Sequence, residues 1–349
     1  MARLEILFYF MGRFKFVRTW ECKCCINNGL NKSVTVNKDG LCNICSDYKA
    51  NFDRKLLQGE LIFLKNFISN KGDYDCMVGL SGGKDSTAML DSVLELGFHP
   101  LTFSLQAYYN NLTISVTDRI KLITKKINVD YHVIDAITYL SDVDRQCFEK
   151  MADIYEKAVA GEISSEKFRN LYFKGREFYS TKKDVIFPFV RPCQICRKIA
   201  IRAYYAEAVK RKIKIVFVGI NEWASGKLGK YSAIRCLKPY ENAPEVFIVH
   251  LPYLLQRKYS DVMKILEDMS CKELVIDMDV KTGGNSCLLA RACEKVAFDM
   301  LGFHLDSARL AREVTVGFID KQTAQKAIEN GKYDSERTVR EVLTDCHII

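Results

Sequence analysis

The chain has 349 residues, 48% of them apolar and 27% charged, with a formal net charge of +9. That length suits one large α/β domain with appendages, and no stretch stays apolar over the length of a membrane span. Fourteen cysteines in so long a chain do not read as a secreted disulfide scaffold, a class that is small and loop-rich; metal ligation in a reducing cytoplasm fits better.

Residues 1–20 read as an N-terminal tail. Leu4 to Met11 is apolar but short, flanked by Arg3 and Arg13 and without a small-residue cleavage site, which makes a poor secretory signal. Residues 21–50 follow as a four-cysteine segment, in which Cys22-x-x-Cys25 and Cys42-x-x-Cys45 have the knuckle spacing of a zinc ribbon. Two such knuckles close a tetrahedral thiolate site, so Zn2+ is the expected ion. Asp39-Gly40 supplies the turn before the second knuckle, and Cys24 is a spare thiol. No obvious core holds this segment, which leaves the metal as the expected source of its order. A redox or nucleic-acid-binding knuckle is the alternative. Residues 51–73 read as a linker helix.

Residues 74–250 carry the pattern of an α/β domain. Asp75 to Leu80 is an apolar run of strand length, and Ser86 to Leu96 has apolar residues at helical spacing, closed by Gly97. Between them lies Ser81-Gly82-Gly83-Lys84-Asp85-Ser86. The two glycines let backbone N–H groups converge, the helix start adds partial positive charge, and Ser81, Lys84 and Ser86 supply further donors, a set that suits a phosphate chain. It is not the common G-x-x-x-x-G-K-[ST] loop, since Val78 holds the first glycine position and Asp85 follows the lysine. The structural alternative is an ordinary glycine turn. The hexapeptide resembles the SGGxDS loop of the PP-loop ATP pyrophosphatases, the adenine nucleotide alpha hydrolase-like group. That resemblance implies a Rossmann-like fold and cleavage of ATP between its α and β phosphates, adenylating a substrate oxygen that nitrogen or sulfur then displaces.

Further along, Pro100 to Gln106 reads as a strand, Leu112 to Ile127 as a helix and Asp130 to Asp135 as a third strand. Residues 141–183 read as mostly helical, charged and exposed, and a basic helix from about Cys196 to Lys212 leads into the apolar strand Ile213 to Gly219. Strands separated by helices predict a parallel sheet covered on both faces, with its ligand crevice at the carboxyl ends of the strands. Those ends select Ser104 and Gln106, where the resemblance implies adenine and ribose contacts, and Gly219, Asn221 and Glu222, where it implies an acidic residue near the phosphates. Asp85 is the first candidate for Mg2+, with Glu222 as a second carboxylate; Asn221 and Glu222 also suit a turn or helix cap. Lys84 is placed to offset charge on departing pyrophosphate.

Cys193-x-x-Cys196 opens the basic helix, and Cys287 lies far downstream in Thr282-Gly283-Gly284-Asn285-Ser286-Cys287. Three thiolates can hold a [4Fe–4S] cluster with one iron open, and the pattern resembles the cluster-dependent tRNA thiolation branch of the same superfamily. Zinc with other partners, a redox pair or unliganded thiols are alternatives. Cys76, Cys147, Cys236, Cys271, Cys293 and Cys346 lack such spacing and are expected to be buried apolar thiols.

Residues 251–349 read as a helical region, with helices over Ser260 to Met269, Leu288 to Met300, Ser307 to Val316, Thr323 to Asn330 and Ser335 to Thr344, and Asp320 or Thr323 as a cap. The order of the whole chain, from the two CxxC knuckles and Tyr48 through Tyr74-Asp75-Cys76 to the tail with Ala308 to Arg312 and Gly317-Phe318-Ile319, resembles the N-acetyl sugar amidotransferases of bacterial surface-polysaccharide pathways. The resemblance implies ATP-dependent replacement of an N-acetyl oxygen by nitrogen, with ammonia from a separate glutaminase. The Cys193, Cys196 and Cys287 set departs from that family's pattern and leaves sulfur insertion, with a sulfur donor protein, as the alternative. The net positive charge and the run of Arg197, Lys198, Arg202, Lys210, Arg211, Lys212 and Lys214 against Glu207 suit an anionic acceptor, a nucleotide- or lipid-linked sugar or a tRNA. A solvated helix beside an ATP site explains the same charges, and a non-catalytic nucleic-acid-binding protein is the third reading.

Overall fold

The computed structural model describes residues 19–68, 73–106, 115–181, 184–225, 231–275, 278–331 and 335–349. Leu4 to Met11 lies outside them, as does the side chain of Gln106. The four-cysteine segment leads into α1 (Asn43–Asn51) and α2 (Arg54–Lys65), the latter capped by the Asp53 carboxylate, which accepts from the Lys55 amide at 2.8 Å. Next come β1 (Cys76–Gly79), α3 (Lys84–Glu95), β2 (Pro100–Gln106), α4 (Ser115–Ile127) and β3 (Tyr131–Asp135). Two long helices, α5 (Asp142–Val159) and α6 (Ser165–Thr181), precede α7 (Cys193–Lys210), β4 (Ile215–Val218), β5 (Ile234–Leu237) and β6 (Val246–His250). The remainder is helical: α8 (Leu251–Leu254), α9 (Tyr259–Asp268), α10 (Leu288–Leu301), α11 (Ser307–Thr315), α12 (Lys321–Asn330) and α13 (Val339–Asp345). Asp320 caps α12, accepting from the Thr323 amide at 2.7 Å.

Among the described residues six strands make one sheet in the order β3-β2-β1-β4-β6-β5, parallel except for the β5–β6 pair. Both faces are covered, which is why β1 and β4 are apolar at every position rather than at alternate ones. Cys76, Val78, Ile215 and Phe217 pack toward Met89, Leu90 and Val93 of α3. Met77, Val216, Val218 and Phe103 pack toward Ala203 and Ala208 of α7. Each large apolar side chain fully buried this way contributes about 1.5–3 kcal/mol. The strand order reverses between β2-β1 and β4, so the carboxyl ends of β1 and β4 flank the crevice of the sheet.

Three features depart from the sequence reading. The pair β5 and β6 extends the sheet by two strands beyond Ile213 to Gly219, the last strand read from the sequence; Val246 to Val249 is an apolar run too short to declare itself. Helices α5 and α6 are exposed along one face only, because Phe148, Met151, Tyr155, Phe168 and Tyr172 recur at helical spacing and are at most 2% exposed. They form a core with α10 and α13. Cys76, Cys147, Cys271 and Cys293 are buried as expected, but Cys236 is exposed on the edge strand β5 and Cys346 is half-buried.

The four-cysteine segment also has tertiary support. Ile26 and Val34 join a buried cluster with Leu310 and Val314 of α11, Phe318, and Ala324 of α12. Chain segments some three hundred residues apart are thereby packed together.

Candidate functional site

The 81–86 loop is the turn between β1 and α3, and its backbone is set by Gly82 at φ +73°, a left-handed conformation that glycine adopts without steric cost. The Ser81 amide donates to Ser86 Oγ at 3.1 Å, and Ser86 Oγ and Thr87 Oγ1 donate to the Gly83 carbonyl at 3.1 and 3.0 Å. These bonds curl the loop back on itself. Helix α3 starts at Gly83 with no side-chain cap on its first amides, an arrangement that suits an anion at that end. Lys84 Nζ lies 3.3 Å from Asp85 Oδ2 and 5.8 Å from the centre of the Tyr259 ring. The other carboxylate oxygen, Asp85 Oδ1, is buried without a hydrogen-bond partner, a state that a cation or a ligand donor would relieve.

Lys84 and Asp85 open onto a cavity of 190 Å³. Its opposite wall comes from the C-terminal helical region: Lys281, Thr282, Gly283 and Ser286, with Arg309 and Glu313 of α11. Two buried carboxylates clamp this wall, Asp306 accepting from the Gly283 amide at 2.7 Å and Glu294 from the Gly284 amide at 2.8 Å. Burial works to raise the Asp306 carboxyl, but Arg309 and Arg191 outweigh it and hold the group below the usual carboxylate range. Arg309 bonds Glu313 Oε1 at 2.9 Å and the Lys281 carbonyl at 2.8 Å. Glu313 is pushed up, by burial first and then by Asp85 across the cavity, against the pull of Arg309. Sequence reasoning missed this wall; its one signal was the glycine pair 283–284, noticed only as the setting of Cys287.

The other predicted residues sit at the strand ends. Gly219 follows β4 and lies against the loop: a Cβ built there meets Ser86 Cα at 3.0 Å and Ser86 N at 3.1 Å. Asn221 is 5% exposed with its Oδ1 lacking a partner. The Ser104 hydroxyl is tied to the Tyr131 hydroxyl, and Gln106 closes β2 opposite Asp135. Glu222 is held in a two-pronged bond by Arg312, one arm at 3.1 Å, with Arg197 at 3.9 Å. Burial alone would raise Glu222, yet the two guanidiniums keep it below its ordinary value.

Glu222 belongs to a second, larger cavity of 750 Å³ at the carboxyl ends of β4 and β6, walled by α7, α1 and α11. Trp223, Tyr231, Tyr204 and Tyr179 line it together with Arg197, Arg235 and Arg312. His250 closes β6 and places Nδ1 2.7 Å from the Glu222 carbonyl, so Nδ1 carries the proton. Burial, with help from Arg197 and Arg235, pushes this imidazole down to about 4. It is neutral at physiological pH.

The four knuckle cysteines converge. Their Sγ atoms all lie within 4.8 Å of one another, and none is more than 4% exposed. Asn27 Nδ2 donates to Cys25 Sγ at 3.3 Å and the Cys42 amide to Cys22 Sγ at 3.2 Å, bonds that suit thiolates. Donation to neighbouring sulfurs pushes the Cys25 and Cys45 thiols up, which is the proton arrangement a tetrahedral cation would replace. Among the described residues this is the one group of three or more His, Cys, Asp or Glu side chains whose ligand atoms lie close enough together to hold a single metal ion. Cys193 opens α7, and Cys287 caps α10 by accepting from the Ala290 amide at 3.4 Å. Burial pushes Cys287 up to about 12, and Cys193 is near enough to add to it. Cys196 lies half-buried one turn along α7.

The basic face of α7 is largely engaged within the molecule. Arg202 pairs with Asp144, Arg211 with Glu207, and Lys198 with Asp184 at 3.4 Å.

Fold and site together define an α/β protein with a mostly parallel sheet, a four-cysteine knuckle near its N-terminus and a helical C-terminal region. No family model matches the chain. It is similar to an uncharacterized protein of Methanocaldococcus jannaschii, 23% identical over 323 residues that span 90% of this chain and 95% of the other. Of solved structures it is similar to the U34-tRNA thiolase NcsA from Methanococcus maripaludis with its [4Fe-4S] cluster, at 11% identity and a TM-score of 0.36, covering 95% of this chain and 99% of that one. It is also similar to the NMN synthetase from Francisella tularensis, at 14% identity and a TM-score of 0.34, covering 82% and 99%. At such scores neither likeness carries weight, and the fold stands on its own strand order. Among the described residues no helix is long and apolar enough to cross a membrane.

Proposed function

We propose that this chain is an ATP-dependent enzyme that adenylates an acceptor oxygen at the 81–86 loop. The observation that carries the reading is the loop's geometry: a left-handed Gly82 leads into an uncapped helix start, and the first two residues of that helix, Lys84 and Asp85, border a cavity that Arg309 closes from the other side. The acceptor oxygen attacks the α-phosphorus, the bond to the bridging oxygen breaks, and pyrophosphate leaves with its charge offset by Lys84. An incoming nitrogen or sulfur nucleophile then adds to the activated carbon and expels AMP. The unpartnered Asp85 oxygen would hold Mg2+, since a hard cation takes carboxylate oxygen, and the ion would supply positive charge against the phosphates. Glu222 is less suited to that role, being held by Arg312.

For the second half-reaction the reading that continues from the whole-chain resemblance is amidation of an N-acetyl sugar, with ammonia as nucleophile and an amidine as product. Sulfur insertion is the second reading, supported by Cys193 and Cys287, which begin two helices and lie near enough for Cys193 to help raise the Cys287 thiol. Cys193, Cys196 and Cys287 would hold a [4Fe–4S] cluster by three thiolates, and such a cluster would offer an open iron to a sulfur ligand.

The test is release of pyrophosphate and AMP from ATP, with ammonia and N-acetyl sugar nucleotides in one series and with sulfide and tRNA in another, on protein prepared without oxygen. Asp85→Ala should lower turnover at least about a hundredfold. Full activity in that variant, or no AMP with any acceptor, would overturn the proposal. Iron with loss of activity in Cys287→Ala selects sulfur; zinc alone with unchanged activity selects nitrogen.

A further inference from the structure

We propose that the 750 Å³ cavity is the acceptor subsite and that it binds a nucleoside diphosphate group. The name acceptor rests on the adenylation reading; the binding itself does not. The volume lies within the range of small-molecule sites, roughly 300–1,000 Å³. It shares no lining residue with the 190 Å³ cavity at the loop. Helix α11 stands between them, turning Arg312 to the larger space and Arg309 and Glu313 to the smaller.

The walls of the larger cavity select the ligand. Trp223 and Tyr231 meet edge to face with ring centres 4.7 Å apart, and Val218, Ile220 and Ile248 give an apolar floor, a surface for a planar ring. Three guanidiniums face Glu222 and Asp47, and of these Arg235 makes no ion pair among the described residues. A guanidinium without a carboxylate partner, set beside aromatic rings, matches a phosphate carried on a ring-bearing molecule. Glu222 and neutral His250 add acceptors for hydroxyl or amide N–H groups. Inorganic phosphate alone would leave the aromatic wall unused, and a long polyanion would find the adjacent α7 cations already paired with Asp144, Glu207 and Asp184.

One wall belongs to the metal knuckle. Helix α1, capped by Cys42, brings Asn43, Ile44 and Asp47 to the cavity, while Cys45 Sγ lies 3.1 Å from Thr315 Oγ1 on α11. The four-cysteine site thus braces two of the elements that shape this space.

The experiment is calorimetric titration of the full chain with UDP, CDP and GDP, each in the presence of saturating α,β-methylene-ATP. At least one should bind, with affinity falling about tenfold to a hundredfold in Arg235→Ala and partly restored in Arg235→Lys. Arg235 sits on an edge strand and is half-buried, so its loss leaves the fold in place; circular dichroism checks this. Asp85→Ala should abolish AMP formation without changing this affinity, which separates failure of the adenylation reading from failure of the subsite. Absence of binding, displacement of the nucleoside diphosphate by the ATP analogue, insensitivity to Arg235→Ala, or binding of tRNA that UDP does not affect would each overturn the proposal.

Discussion

A single methyl group added at Gly219 tests whether the loop and the end of β4 form one site. In Gly219→Ala the new Cβ would meet Ser86 Cα at 3.0 Å, Ser86 N at 3.1 Å and the Asp85 carbonyl carbon at 3.3 Å. All three are backbone atoms in the first turn of α3, so no flexible side-chain end can swing away. The turn must retreat by a few tenths of an ångström, carrying the Asp85 and Ser86 amides with it. Overpacking of this kind costs about 1–3 kcal/mol of stability, and misplacing phosphate donors by a fraction of an ångström should lower kcat/KM for ATP by about tenfold to a hundredfold. The assay is pyrophosphate release as a function of ATP concentration, paired with urea unfolding. Acceptor affinity, measured by calorimetry, should stay unchanged, since Gly219 does not border the larger cavity. Wild-type kcat/KM in a folded Gly219→Ala protein would refute the reasoning that this close approach sets the phosphate-binding turn.

Two further outcomes follow from the cysteine knuckle and from His250. Cys42→Ser should reduce bound zinc from about one per chain to near zero and loosen α1 and α11 together, read by metal analysis and by faster amide exchange in residues 309–315; unchanged exchange in α11 would show that the knuckle does not brace it. The half-buried imidazole of His250, pushed down to about 4, binds fewer protons in the folded than in the unfolded state between that pH and about 6.5, so stability is lost as pH falls through this window, by at most about 3 kcal/mol in all. Urea unfolding at pH 7 and pH 4.5 should show a smaller loss in His250→Asn than in wild type; equal losses would place the acid sensitivity elsewhere.

What could be read from the residues alone was what is local or periodic. The 81–86 turn declares itself because strand, glycines and helix are contiguous, and the four-cysteine site because its ligands come in two CxxC pairs whose sulfurs then close to within 4.8 Å. The alternation of strand and helix gave the parallel sheet for the same reason, while β5 and β6 stayed hidden because a strand of four or five residues has too few positions to show a period. The partners of the loop needed the fold. Lys281 to Ser286, Arg309 and Glu313 reach Lys84 and Asp85 from the far end of the chain, and nothing in their local pattern points there. Glu222 looked like a free carboxylate until folding set Arg312, ninety positions away in sequence, against it. Gly219 gained its meaning only when β4 came to lie beside β1 and left no room for a side chain. Spacing along a chain can specify chemistry within one turn or knuckle; which charges are desolvated, paired or left facing a cavity depends on distances that only tertiary packing sets.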